Sequence, residues 1–178
     1  MRVDIPTGLL IGVKQVLSPY FDARPSGVVA DLVVLHGISL PPGEFGGPWI
    51  SRLFTGNLPP EAHIEFRERA GLRVSAHLLV RRDGRLVQYV PFNQRAWHAG
   101  RSSWQGRDSC NDYSIGIECE GTDDSPYEPA QYAALRQLLP LLSAAYPAIR
   151  PERIVGHSDV APGRKTDPGP SFDWSKIR

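Results

Sequence analysis

Five histidines, His36, His63, His77, His98 and His157, are the side chains of this sequence best suited to hold a metal ion or to move a proton. Two of them, His36 and His157, each close a predicted strand, where a sheet presents side chains to a ligand. Asp167 follows His157 in a proline-bounded tail, GHSDVAPGRKTDPGPSF. Two neutral imidazoles and one carboxylate fill three tetrahedral positions on zinc and leave the fourth for water, which is a catalytic arrangement. Spacing alone leaves Asp159 and Asp173 as alternatives to Asp167, and the HExxH signature is absent. Cleaving an amide also needs a proton carrier and a cation for the oxyanion. Glu118 is the candidate carrier, with Glu120 as a rival of the same strand parity, and Lys165 is the candidate cation. His77 is expected to be packed and hydrogen-bonded, and His63 to lie in a loop. His98, beside Trp97 in RAWHAG, serves either structure or substrate contact.

These groups depend on the elements that carry them. Residues 30–36 (ADLVVLH) form an apolar run expected of a strand buried on both faces. Residues 75–90 read as a hairpin turning at Asp83-Gly84. In residues 113–120, Ile115, Ile117 and Cys119 alternate with Ser114, Gly116, Glu118 and Glu120, so both carboxylates leave the core side, and Gly116 leaves that face uncrowded. Residues 131–146 form the best helix, with Leu135, Leu138, Leu142 and Ala145 on one stripe and a kink or break expected at Pro140. A short strand is expected at 153–155. Residues 37–60, rich in glycine and proline around a helical turn at 49–54, make too long a connection to be a simple one and are a candidate wall or lid. A hairpin together with long crossings predicts an α/β fold, a central mixed sheet layered with helices.

A chain of 178 residues suits one domain, 1–178, large enough to bury a core unaided. Lysine and arginine number 20 against 19 acidic residues, a net charge of +1, so no charge excess draws the chain to nucleic acid or anionic lipid. An apolar fraction of 41% excludes disorder, and no run is long enough for a membrane span. The N-terminal residues lack an export signal, and the two cysteines, Cys110 and Cys119, make no disulfide framework, so a cytoplasmic location is expected. Nothing points to an obligate protein partner.

Five segments carry a resemblance that spacing cannot: LHGISLPPGEFGGPWI (35–50), RVSAHLLVRRDGRLVQYVPF (73–92), RAWHAG (95–100), CNDYSIGIECEGTD (110–123) and RKTDPGPSFDW (164–174). In order, and over nearly the whole chain, they resemble the zinc-dependent N-acetylmuramoyl-L-alanine amidases, a family shared with phage amidase lysozymes and peptidoglycan recognition proteins. The resemblance implies zinc ligands at His36, His157 and Asp167, a catalytic carboxylate at Glu118 and a transition-state cation at Lys165. It implies a zinc groove at one edge of the sheet. It also implies hydrolysis of the amide between the lactyl group of (1,6-anhydro-)N-acetylmuramic acid and L-alanine in small muropeptides, during cytoplasmic cell-wall recycling, with an effect on β-lactamase induction. A compact sugar bearing an anionic peptide calls for a flat wall, for which Trp97 is the candidate, and for cations, of which Arg73 and Arg107 are the nearest available. Gly37 stands where a member of that family has asparagine directly after the first histidine. Two other readings are a lytic amidase acting on polymeric peptidoglycan, which the missing export signal disfavours, and a muropeptide-binding module without catalysis, which the intact triad disfavours.

Overall fold

A computed structural model describes residues 1–178. Its centre is a six-stranded mixed sheet built from β1 (Lys14–Gln15), β2 (Leu32–Ile38), β3 (Leu78–Val80), β4 (Leu86–Gln88), β5 (Ser114–Glu120) and β6 (Ile154–Gly156). The strand order is β6-β2-β5-β3-β4-β1. Strands β6, β2, β5 and β3 run parallel, and β3 and β4 form the expected antiparallel hairpin, with Gly84 at a φ of 80° in its turn. Three two-stranded ribbons surround the sheet. Helices α1 (Trp49–Phe54), α2 (Pro129–Ala145) and α3 (His157–Val160) complete the regular structure. No helix is long and apolar enough to cross a membrane.

Strand parity divides the two faces of the sheet. Val33 and Leu35 of β2 and Ile115, Ile117 and Cys119 of β5 pack against Leu135, Leu138 and Leu142 of α2. Leu32 and Val34 face the other way, toward Ala99, Cys110, Tyr113 and Val160. His36 shares their parity, so it projects from the face opposite α2. That second face is covered as well, and all seven residues of β5 are buried. Its polar residues therefore enter an interior instead of solvent, because β5 is central and loops roof its second side. Residues 37–60 supply part of this roof. Ile50, Leu53 and Phe54 of α1 pack with Leu79, Val87 and Tyr89, so the segment is a wall with its own core.

The helix expected at 131–146 runs from Pro129 through Ala145 without a break. Pro140 sits on its exposed side, as does Arg136, the residue whose carbonyl loses its donor. At the N-terminus, Gln131 accepts the Glu128 amide through Oε1 and donates through Nε2 to the carbonyls of Val80 and Glu120. One buried side chain thus caps the helix and ties it to the ends of two strands. Cys110 and Cys119 are buried and unpaired.

His77 is fully buried; its Nδ1 accepts the Gly116 amide at 2.9 Å and its Nε2 donates to the Gln94 carbonyl at 3.1 Å. Burial, and after it the charge of Arg24, lowers its pKa from 6.5 to about 3. The unfolded chain takes up a proton below pH 6.5 and the folded one does not, so stability present above pH 6.5 is lost as pH falls toward 3. In the metal-free protein this single group should cost about 2 kcal/mol on going from pH 7.5 to pH 5. Urea unfolding at the two pH values should show that loss reduced by about that amount in His77→Gln; an unchanged loss would mean that His77 is not the acid-sensitive group.

Candidate metal centre and active site

Parallel register gathers the site. Glu118 of β5 pairs with His36 of β2, and Gly156 at the end of β6 pairs with Leu35, so the next residue, His157, arrives beside His36. Three neighbouring strands thereby deliver Glu118, His36 and His157 to one edge of the sheet. The tail then folds back, with the Ser158 amide donating to the Asp167 carbonyl at 3.0 Å, and brings in the Asp167 carboxylate.

His36 Nδ1, His157 Nδ1 and Asp167 Oδ2 form a triangle with edges of 2.9, 3.2 and 3.0 Å. These are the three groups that the chain brings within mutual ligand range. A tetrahedral ion with bonds of about 2.0–2.1 Å sets its ligands about 3.3 Å apart, so the triangle fits a small divalent cation. Two imidazole nitrogens facing each other at 2.9 Å also need a cation or a shared proton between them. The outward nitrogens are occupied: His157 Nε2 donates to the Ala99 carbonyl at 3.2 Å, and His36 Nε2 lies 2.9 Å from His98 Nδ1. That pattern leaves both Nδ1 lone pairs aimed inward. Burial first, and then the neighbouring His157, lower the His36 pKa to about 4, which keeps the ring neutral. Burial works to raise the Asp167 pKa, but hydrogen bonds with His157 and His36 outweigh it and hold the carboxyl below its ordinary range. The two alternative aspartates are used elsewhere. Asp159 accepts the Gly156 amide at 2.7 Å, and Asp173 caps the last helical turn through Ser175.

The two glutamates differ sharply in their surroundings. Glu120 is latched, accepting the Gly46 amide at 2.9 Å and the Arg82 amide at 3.2 Å and pairing with the Arg81 guanidinium at 3.5 Å. It anchors the 37–60 wall to the sheet. Glu118, 8% exposed, faces the cavity; burial, and then the Asp167 charge, push its pKa well above the usual carboxylate range, with Lys165 opposing. A carboxyl raised in this way holds a proton more readily than an ordinary carboxylate, as a group that must both accept and return one requires.

Glu118, Lys165 and the three candidate ligands line one cavity of about 220 Å³, together with Leu53 and Phe54 of the wall, Val74, Ser75, Trp97 and His98. Three larger clefts, of about 810, 510 and 890 Å³, contain none of the three candidate ligands. Trp97 stands as a side wall, its Nε1 bonded to Asp22 at 3.2 Å and its ring stacked on Tyr20. Arg73 lies 5.6 Å over the Trp97 ring and is not part of the lining. Arg107 is not brought to the cavity, because it pairs with Asp31 at 2.6 Å and lies 3.7 Å over the Tyr113 ring. His98 lines the cavity, yet both of its nitrogens are engaged with protein partners, His36 and Ser114. A side chain at position 37 would point away from His36, into the Tyr127 hydroxyl, which donates to the Pro168 carbonyl at 2.9 Å. Gly37 is thus matched to Tyr127. Sequence reasoning assigned nothing to Tyr127, Ser114 or Asn111, and no spacing rule would single out these isolated polar residues.

A family model described as N-acetylmuramoyl-L-alanine amidase matches residues 26–170. The chain is 58% identical, over 171 residues, to the 1,6-anhydro-N-acetylmuramyl-L-alanine amidase AmpD of Escherichia coli K12, covering 96% of this chain and 93% of that protein. It is 50% identical to the Haemophilus influenzae protein of the same name, covering 97% and 94%. Among solved structures, a selenomethionine AmpD crystal structure superimposes with a TM-score of 0.96 at 57% identity, covering 100% of this chain and 98% of that one. The E. coli amidase AmiD, solved with anhydro-N-acetylmuramic acid-L-Ala-D-gamma-Glu-L-Lys, gives a TM-score of 0.62 at 30% identity, covering 87% and 59%.

The contrast between the two glutamates is measurable as stability. Glu120→Ala strands two amides and takes the counter-charge from the Arg81 guanidinium, and should cost about 3 kcal/mol. Glu118→Ala removes a desolvated carboxyl held by no hydrogen bond and should stay within about 1 kcal/mol of the parent. Urea unfolding of the metal-free proteins checks both; equal losses would contradict the distinction.

Proposed function

The chain belongs to the N-acetylmuramoyl-L-alanine amidase family, and from that membership and the geometry of its site we propose that it hydrolyses the lactyl–L-alanine amide of small anhydro-muropeptides with a zinc ion held by His36, His157 and Asp167. The observation that carries the reading is the triangle of two imidazole nitrogens and a carboxylate oxygen beside Glu118. Relatives matched along almost their full length, and named for the anhydro compound, support that substrate. The amidase domain is assigned to 1–178. A cytoplasmic site of action in cell-wall recycling, with an effect on β-lactamase induction, is part of the same reading, and two buried, unpaired thiols suit a reducing compartment.

Zinc bound in this site supplies Lewis acidity, acidifying water and polarising the scissile carbonyl. Glu118 takes the proton from the attacking water as the oxygen adds to the lactyl carbonyl carbon. The same carboxyl then returns the proton to the alanine nitrogen as the C–N bond breaks, giving a lactyl carboxylate and a peptide with a free amino terminus. Lys165, an exposed residue on the tail beside Asp167 that lines the cavity mouth, provides the positive charge for the oxyanion. Trp97 offers its face to the sugar, and Arg73 beside it offers a cation to the peptide carboxylates. The cavity holds the reacting amide, and the 37–60 wall limits access by bulky glycan.

Rates of peptide release should fall in the order anhydro-muramyl-tripeptide, non-anhydro muropeptide, insoluble sacculi. Faster release from sacculi would favour a lytic amidase instead. Glu118→Ala should keep zinc and lose about 10²-fold or more in turnover. Lys165→Ala should keep zinc and lower kcat more than it changes KM, because an oxyanion contact forms mainly in the transition state. Metal loss in either variant would show that the residue had been given the wrong role.

A further inference from the structure

The floor of the cavity carries a hydrogen-bond chain that the hydrolytic scheme leaves unused. His36 Nε2 lies 2.9 Å from His98 Nδ1, and His98 Nε2 lies 3.1 Å from the Ser114 hydroxyl. The His98 ring rests on Gly116, where any Cβ would run into the imidazole. The next residue serves the other ligand, since the Ala99 carbonyl accepts from His157 Nε2 at 3.2 Å. The backbone amides of His98 and Ala99 both donate to one atom, Asn111 Oδ1, at 3.2 and 2.8 Å.

We propose that residues 98–99, locked by Asn111, form a cradle that fixes the tautomer and orientation of both ligand imidazoles, making His98 and Asn111 positioning residues of the metal centre. The inference rests on the zinc reading above. An imidazole that offers Nδ1 to a metal carries its proton on Nε2. His36 therefore donates to His98 Nδ1, and His98 carries its own proton on Nε2, toward Ser114. A His98 of the opposite tautomer would oppose one N–H with another. Both nitrogens are consumed in this way, so His98 acts through His36 and makes no hydrogen bond to substrate.

Zinc dissociation constants, measured by competition with a chromophoric chelator, test the cradle without reference to activity. His98→Leu removes the acceptor and should weaken zinc by roughly 10–100-fold. His98→Asn sets an amide oxygen where Nδ1 stood and should stay within about threefold of the parent. Asn111→Ala should weaken zinc by about tenfold and Asn111→Asp, which keeps the oxygen, should not. Gly116→Ala, which displaces the His98 ring, should behave like His98→Leu. In the zinc-loaded parent, nitrogen NMR of labelled histidines should find His36 and His98 both protonated on Nε2. Parent-like zinc affinity in His98→Leu, or a proton on His98 Nδ1, would overturn the cradle. A parent protein that binds no zinc would overturn the metal reading instead. Where His98→Leu fails to fold, the Asn111 pair and the tautomer decide.

Discussion

Two imidazole nitrogens and a carboxylate oxygen lie about 3 Å from one another at the edge of the sheet. Lone pairs at such separations repel unless a positive charge sits among them, and burial of the rings withholds the water that would otherwise supply it. Much of the surrounding structure can be understood as the means of holding this arrangement. Parallel pairing of β2 with β6 sets the two histidines side by side, and the folded-back tail carries the carboxylate to them. Groups on the outer side, the Ala99 carbonyl and His98, hold the rings with their inner lone pairs directed at the centre. A divalent cation turns the repulsion into binding, so the metal and the folded edge of the sheet stabilise each other.

The same strand pairing explains why Glu118 can be reactive while Glu120, two residues on, is structural. Both leave β5 on one face, but Glu120 reaches the base of the 37–60 wall and finds two amides and an arginine. Glu118 stops short, over the cavity, and has the Asp167 carboxylate for a neighbour. Desolvation without compensating hydrogen bonds raises its proton affinity, which a structural carboxylate would avoid and a proton carrier requires. The latch at Glu120 in turn secures the segment that bears Leu53 and Phe54, which form an apolar part of the cavity lining.

Much of this was legible in the residues themselves. The apolar run before His36, the alternation from Ile115 to Glu120 and the turn at Asp83-Gly84 follow from local rules, because strand parity and turn conformation are encoded within a few residues. The choice of Asp167 over Asp159 and Asp173 was not, since it depends on how the tail folds back; in the structure the other two aspartates serve as caps. Pro140 was expected to kink or split α2; the helix is not split, because a proline on the solvent side of an anchored helix is tolerated. Arg107 suited an anionic substrate by type alone, and its pairing with Asp31, 76 positions away, is a tertiary fact. Gly116 was read as space left for Glu118, whereas that space is occupied by His98.

The most direct test of the metal centre is a zinc K-edge X-ray absorption spectrum of the zinc-loaded protein, compared with that of His157→Ala. Two imidazoles and a carboxylate predict a four-coordinate shell of nitrogen and oxygen at about 2.0–2.1 Å, with outer-shell scattering from two rings in the parent. Loss of one ring, or of bound zinc altogether, is predicted for the variant. A sulfur scatterer at about 2.3 Å, or a parent spectrum indistinguishable from that of His157→Ala, would contradict coordination by His36, His157 and Asp167.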